Sequence, residues 1–157
     1  MEGPLPGIGP WDQLTTNPRL WHVGFGGPDM ERLVAGRERI YLDHVWNDSS
    51  ADPAAFGEEM RVHYTALYGL PGGMRAGFAQ FAAFARDGAD NRGFLAEGTL
   101  TVPVLAVGGE ASSGALVETL MRLVADQVEG AVVPAAGHWL MEENPEATVT
   151  LVQHFLA

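Results

Sequence analysis

The sequence predicts an α/β protein in which a long helical segment precedes a short βαβα unit. Apolar residues recur at helical spacing from Asp29 to about residue 87. Two short apolar runs rich in β-branched residues follow after Asp90, as expected of buried strands. With 157 residues and 46% hydrophobic positions, the chain can form one globular domain with a core.

The first 28 residues are rich in Pro and Gly and show no sustained period, so we expect an irregular lead-in carrying Trp11 and Trp21. Helices are then expected from Asp29, with a break at Gly36, and from about residue 56 to 67. After the turn signal at residues 71–73, an apolar stripe predicts a fourth helix, formed by Met74, Phe78, Phe81 and Ala85.

Strand and helix signals alternate in the last third of the chain. Residues 101–107 predict a buried strand closed by two glycines, residues 116–127 a helix, and residues 131–133 a second strand. Asn144 followed by Pro145 predicts the start of a final helix, with Asn144 as the cap. A strand, helix, strand and helix in this order imply parallel pairing with a right-handed crossover.

Two short parallel strands are too few for a sheet that is stable alone, because parallel sheets are usually larger and covered on both faces. Further strands are expected either within the first 28 residues or, as the favoured interpretation, on another polypeptide or upstream of Met1. The sequence therefore predicts a partial fold that lacks the N-terminal half of its core.

Composition disfavours several function classes. Nine basic residues, all Arg, stand against twenty acidic ones, and the net charge of −11 disfavours nucleic-acid binding. There is no Cys, which excludes disulfides and thiol chemistry. No apolar stretch is long enough to span a membrane, and residues 1–4 do not resemble a signal peptide, so we expect a soluble, cytoplasmic protein without membrane partners. His44, His63 and His154 lack partners at ligand spacing, and no metal site is expected.

His138 is the best-placed candidate base. It follows the second predicted strand and precedes a capped helix, and ligands bind α/β sheets at the carboxyl ends of their strands. Glu110 follows the first predicted strand, so it is expected beside His138, in the acid-then-His order of a catalytic triad. The alternative for His138 is a loop histidine that only packs against Trp139. The alternative for Glu110 is a solvated carboxylate at the start of a helix.

Six segments in collinear order resemble the second half of a bacterial epoxide hydrolase of the α/β-hydrolase family, close to the fluoroacetate-type dehalogenases. They are MEGPLPG (1–7), WH (21–22) followed by GGP (26–28), LVAGRER (33–39), PGGMRAGF (71–78), PVLAVGGE (103–110) and GHWL (137–140). The resemblance implies a partial α/β-hydrolase fold in three parts. Residues 1–9 would hold the end of a core strand and the acid loop, 10–95 a helical cap or lid, and 96–157 the C-terminal part of the core.

The resemblance also implies a covalent mechanism without a cofactor, in which an Asp opens the epoxide and a His-activated water hydrolyses the resulting ester to the diol. His138 matches the water-activating His, and Glu2 matches the acid that orients it. Glu110 occupies the alternative acid position and ranks narrowly below Glu2. His22 matches the residue that donates a hydrogen bond to the epoxide oxygen, and Trp21 beside it is expected to bind substrate with it.

Two departures from the family pattern matter. Only Met1 precedes Glu2, so the nucleophile Asp and its elbow are expected outside this sequence, and the isolated chain is expected to be inactive. The cap helix of the family usually carries a tyrosine that helps to open the ring, and residues 77–82 contain none. Tyr64, Tyr68 or Gln80 would have to take its place. Phe78, Phe81 and Phe84 could line an apolar substrate tunnel, although an aromatic stripe is more often plain core.

Three hypotheses follow for a chain of this kind. The working protein extends upstream, or the chain completes its sheet on a partner carrying the nucleophile half, or it is a non-catalytic module. The expected substrate is a small apolar epoxide. A halo-organic compound, as in haloacetate or haloalkane dehalogenases, is the chemical alternative.

Overall fold

The computed structural model describes residues 5–157 and, for Arg19, the backbone alone. Its elements fall into a helical region followed by a strand region. The helical region contains α1 (Trp11–Thr15), a 3-10 helix (Pro18–Gly24), α2 (Pro28–Val34), α3 (Glu38–Ser49), a short 3-10 helix (Pro53–Ala55), α4 (Glu58–Tyr68), α5 (Gly73–Ala82) and α6 (Phe84–Glu97). The strand region contains β1 (Val104–Gly109), α7 (Leu116–Met121), β2 (Val128–Val133), α8 (Leu140–Glu143) and α9 (Pro145–Leu156).

Within the described residues, β1 and β2 form a two-stranded parallel sheet, as the sequence predicts. Val104 lies opposite Val128 and Gly109 opposite Val133, so both strands end at the same edge. The helix α7 crosses over between them. Because the strands are parallel and in register, the loops that follow Gly109 and Val133 emerge side by side. The loops that carry Glu110 and His138 therefore lie next to each other at one edge of the sheet.

Two clusters of buried side chains hold the helical region together. The first consists of Val34, Met74 and Phe78, with Phe25, Met30 and Tyr41 packed against it. The second consists of Leu42, Trp46 and Phe56, with Tyr41, Met60, Tyr64 and Trp139 around it. Trp139 belongs to the strand region, so the second cluster also joins the two regions.

A buried arginine fixes α3 against α4. The side chain of Arg61 is 10% exposed and pairs with Asp43. Its guanidinium also donates to the Phe56 carbonyl at 2.7 Å and to Asn47 Oδ1 at 2.8 Å. Because a buried charge requires such partners, this network sets how the two helices pack.

Several boundaries follow the local signals in the sequence. Gly36 has a φ of 74° and separates α2 from α3 at the predicted break. Asn144 Oδ1 accepts a hydrogen bond from the Ala147 N–H at 3.2 Å, and Pro145 opens α9, which confirms the predicted cap.

Other boundaries differ from the prediction. The lead-in contains α1 and a 3-10 helix, and α6 extends to Glu97, ten residues beyond the predicted helical end near 87. The predicted fourth helix is divided, with Phe78 and Phe81 on α5 and Phe84 at the start of α6. The strand β2 begins at Val128, earlier than predicted, and α7 ends at Met121 instead of near residue 127. The helix α6 is polar and packs on the lead-in through few side chains, so its sequence shows little apolar periodicity. Because apolar periodicity is the pattern that predicts a helix, the full length of α6 is not predicted.

No helix in the described part of the chain is long and apolar enough to cross a membrane.

Candidate active site

His138 lies in the loop between β2 and α8, at the carboxyl end of the strand, as its position in the sequence predicts. Its side chain is exposed, and its ring stands edge-on to that of Trp139, with the centroids 4.8 Å apart. Its backbone N–H donates to the Ser49 carbonyl at 2.8 Å. The histidine is therefore anchored by its backbone to the end of α3 while its imidazole stays accessible.

Gly137 allows this anchoring because two other stretches of backbone lie directly against it. A Cβ at this position would collide with the backbone of Ser49 and Ala51. The carbonyl of Gly137 in turn lies against Gly109, where an added Cβ would collide with it. Any larger residue at 137 would therefore push the His138 loop away from residues 49–51 of the helical region.

Glu110 lies beside this loop, as predicted, but its contact is with the backbone. Its Oε2 accepts a hydrogen bond from the Ala135 N–H at 2.9 Å, and its own N–H donates to the Val133 carbonyl at 3.0 Å. Ala135 has a positive φ of 51°, and the Glu110 carboxylate supports this turn of the backbone. Glu2, the other candidate acid, lies outside the described residues. The role of either acid remains a prediction.

His22 lies in the 3-10 helix Pro18–Gly24 and is half-buried. Its ring meets Phe81 edge-on at a centroid distance of 5.3 Å. Burial lowers the pKa of His22, the charge of His138 lowers it further, and Asp48 raises it. The imidazole is therefore neutral at pH 7, and a neutral imidazole carries one N–H donor.

His22 also lines a cavity of about 230 Å³ between the helical region and α8. Its walls are mostly apolar and include Phe78, Phe81 and Trp139. The polar groups on the walls are His22, Tyr41, Tyr64, Tyr68, Gln80 and Glu142. A mostly apolar cavity with a few convergent polar groups is the usual form of a small-molecule site.

Trp21, predicted to bind substrate together with His22, packs behind it. Its indole stacks on the His44 ring, with the centroids 5.0 Å apart, and contacts Phe25 and Tyr41 edge-on. Phe84, the third phenylalanine of the predicted stripe, packs against Trp11 and Phe81. Phe78 is buried in the core and also lines the cavity, so the phenylalanine stripe can be part of the core and part of the substrate tunnel.

Three tyrosines reach the cavity from the helical region. The Tyr64 hydroxyl donates to Glu142 Oε1 at 2.9 Å, which raises the pKa of Tyr64. Burial, with a contribution from Tyr68, raises the pKa of Tyr41 to about 12. The Tyr68 ring packs over Gly77 of α5. Both Tyr41 and Tyr64 therefore remain protonated at neutral pH.

Sequence reasoning overlooked Tyr41 and Glu142 as members of the cavity. In the sequence alone, Glu142 has an ordinary explanation, because an acidic residue just before the last helix complements the helix dipole. The spacing of four residues from His138 is no signal, because α8 begins only at Leu140 and His138 lies in the loop before it. Tyr41 has no local signal either, since only the fold brings it to the cavity that His22 lines.

The chain is similar to known proteins over most of its length, although no protein-family model matches it. It is 32% identical over 143 residues to the soluble epoxide hydrolase of Corynebacterium sp. (strain C12), which covers 87% of this chain. The crystal structure of wild-type Cfl2 from Burkholderia cenocepacia superposes on all of the chain with a TM-score of 0.90 and 31% identity. The epoxide hydrolase CorEH superposes on 91% of it with a TM-score of 0.76 and 30% identity.

These relatives are longer than the chain. It spans 49% of the Corynebacterium enzyme, 55% of Cfl2 and 50% of CorEH. The chain thus corresponds to about half of each protein it resembles.

Proposed function

Because the chain belongs to the α/β-hydrolases, as the C-terminal part of a fold shared with soluble epoxide hydrolases, we propose that it supplies the cap and the catalytic base of an epoxide hydrolase. The substrate is a small apolar epoxide and the product a vicinal diol. The helical region acts as the cap over the substrate, and the strand region carries the base. No dissociable cofactor takes part.

The observation that supports this proposal best is the apolar cavity, whose wall includes His22 and Trp139, the residue whose ring contacts His138. The volume of about 230 Å³ suits a small organic substrate. A charge on His138 lowers the pKa of His22, so the two imidazoles lie within range of each other's charge.

The first step is the opening of the epoxide ring by a carboxylate. A carboxylate oxygen bonds to a ring carbon while the C–O bond of the epoxide breaks, which leaves an alkyl ester and an alkoxide. His22, held neutral by its lowered pKa, donates a hydrogen bond to this oxygen. The nucleophilic carboxylate is expected outside this sequence, either upstream or on a partner chain.

A tyrosine hydroxyl would protonate the alkoxide. The Tyr64 hydroxyl already donates a hydrogen bond to Glu142, and Tyr41 packs, partly buried, against the first core cluster. We therefore assign the transfer to Tyr68, an exposed residue that lines the cavity and takes no part in the Tyr64–Glu142 bond. Tyr68 would thus replace the tyrosine that residues 77–82 lack.

The second step is hydrolysis of the ester. His138 accepts a proton from water, and the water oxygen bonds to the ester carbonyl carbon. The acyl C–O bond then breaks, and the departing oxygen takes the proton of the new carboxyl group, which completes the diol and regenerates the carboxylate. The proton on His138 returns to the tyrosinate formed in the first step. Glu2 or Glu110 orients the imidazole. The bond between the Glu110 carboxylate and the Ala135 N–H gives Glu110 another task, which supports ranking Glu2 first.

The proposal is tested on protein purified from its natural source and recognised by the peptide that contains residues 137–139. Its intact mass shows whether the working molecule has the 16.8 kDa of this chain or about twice that value. The same material is incubated with a small aryl epoxide and, separately, with haloacetate. Diol formation supports the proposal. Halide release without diol would assign a dehalogenase, and neither product, from a sample of either mass, would favour a non-catalytic module.

A further inference from the structure

The carboxylate of Glu143 binds two backbone segments that are far apart in the sequence. Its Oε1 accepts hydrogen bonds from the N–H groups of Ala51, at 2.6 Å, and Asp52, at 3.2 Å. Its Oε2 accepts from Gly137, at 2.8 Å, and Trp139, at 3.3 Å. One side chain thus joins the segment after α3 to the residues on both sides of His138.

The two segments also contact each other directly. The His138 N–H donates to the Ser49 carbonyl at 2.8 Å, and Gly137 packs against the backbone of Ser49 and Ala51. We call this contact of residues 49–52 with residues 137–139 the junction. It leaves the His138 ring exposed while its backbone is held from several directions.

Only a carboxylate matches these four donors. An ionised carboxylate presents two oxygens that accept several hydrogen bonds and donate none. Glutamine would turn an NH₂ group towards one pair of N–H donors, and a shorter or apolar side chain would leave some of them without an acceptor. Hydrogen bonds to a charged acceptor are also stronger than those between neutral groups.

We infer that Glu143 is a positioning residue, which fixes the backbone on both sides of His138 against residues 49–52 and so sets where the imidazole stands relative to the cavity. Its importance for catalysis rests on the proposed function, in which His138 is the base. Its effect on the loop does not depend on that function. Among the described residues, the candidate acid Glu110 accepts from the Ala135 N–H, whereas Glu143 accepts from Gly137 and Trp139, so the two carboxylates hold different parts of the loop.

The inference is tested by amide hydrogen exchange, followed by NMR in the 157-residue chain. Glu143→Gln should accelerate exchange at Ala51, Asp52, Gly137 and Trp139 by roughly tenfold or more, because hydrogen bonds to the charged oxygens are lost. Amides of the β1–β2 ladder serve as internal references. Glu146→Gln is the matched control, since it removes an equal charge three residues further along the chain and should leave the four rates unchanged.

A second readout separates positioning from general stabilisation. The Trp139 ring stands edge-on to His138, so its ring current shifts the His138 ring protons. Glu143→Gln should change these shifts and Glu146→Gln should not. If Glu143→Gln does not fold, Glu143→Asp, which keeps the charge on a shorter side chain, should still accelerate exchange at the same four amides.

Uniform acceleration at all amides, or rates equal to those of Glu146→Gln, would overturn the inference. Unchanged His138 shifts in a variant whose four amides exchange faster would also overturn it, because the loop would then open without moving the base. None of these measurements requires turnover. If the exchange rates and shifts change as inferred but the protein hydrolyses no epoxide, the role of Glu143 at the junction stands and the proposed function is rejected.

Discussion

The charge of His138 lowers the pKa of His22, although the two histidines lie in different regions of the fold. His22 reaches the cavity from the helical region, and His138 stands on a loop at the end of β2. The two imidazoles therefore lie within range of each other's charge, as the proposed reaction centre requires. It also provides a direct way to test the geometry.

Removing His138 should raise the pKa of His22. Burial is the largest cause that lowers this pKa and would remain, but His138→Ala removes the repulsion from a second imidazolium. The measurement is an NMR titration of the His22 ring protons. Asp48→Asn is the opposite control, since the Asp48 carboxylate raises the pKa and its neutralisation should lower it. A His22 titration that is the same in all three proteins would show that the rings are too far apart to interact.

The lowered pKa of His22 also predicts how stability depends on pH. The unfolded chain binds a proton at the ordinary histidine value of 6.5, and the folded chain binds it only at lower pH. Because the unfolded state binds more protons in this window, the free energy of unfolding should fall as the pH drops below 6.5 and become constant, for this group, below the folded pKa. Urea unfolding between pH 7.5 and 5 measures the slope.

His22→Gln is the matched variant for that experiment, because it keeps a polar side chain that does not titrate. Its unfolding free energy should fall less steeply over the same pH range. Equal slopes in the two proteins would mean that His22 titrates alike in the folded and unfolded chains.

The bond between Tyr64 and Glu142 should stabilise the contact between α4 and α8. Tyr64→Phe and Glu142→Gln should each lower the free energy of unfolding, and the double variant should lose about 1 kcal/mol less than the sum of the two. Tyr68→Phe combined with Glu142→Gln is the control pair, for which the losses should add. A Tyr64–Glu142 pair whose losses add to within about 0.3 kcal/mol would have no such coupling.

Local patterns were sufficient to predict the parts of the fold that local interactions determine. Asn144 caps α9 through an N–H three residues away, and Gly36 breaks a helix through its own backbone angle. The parallel pairing of β1 with β2 follows from the alternation of strands and helices. The polar helix α6 escaped prediction because its packing depends on contacts with residues far away, such as the bond from Asn91 Nδ2 to the Pro6 carbonyl at 3.0 Å.

The candidate site shows the same division. The position of His138 after a strand was predictable, and so was its neighbour Glu110. Glu143 was not, because two of its four partners lie more than 90 residues away and nothing in the local sequence distinguishes it from an acidic residue near a helix start. Tyr41 likewise joins His22 only through the packing of the helical region.

The account depends most on His138 as the base that activates water. The direct test is mass spectrometry of the working hydrolase, purified with whichever segment carries the nucleophile, after incubation with an epoxide. The His138→Ala variant should open the ring but fail to hydrolyse the ester, so its mass should increase by one epoxide per nucleophile, whereas the unmodified protein releases diol. Diol formation by His138→Ala at the unmodified rate, without a mass increase, would contradict the account.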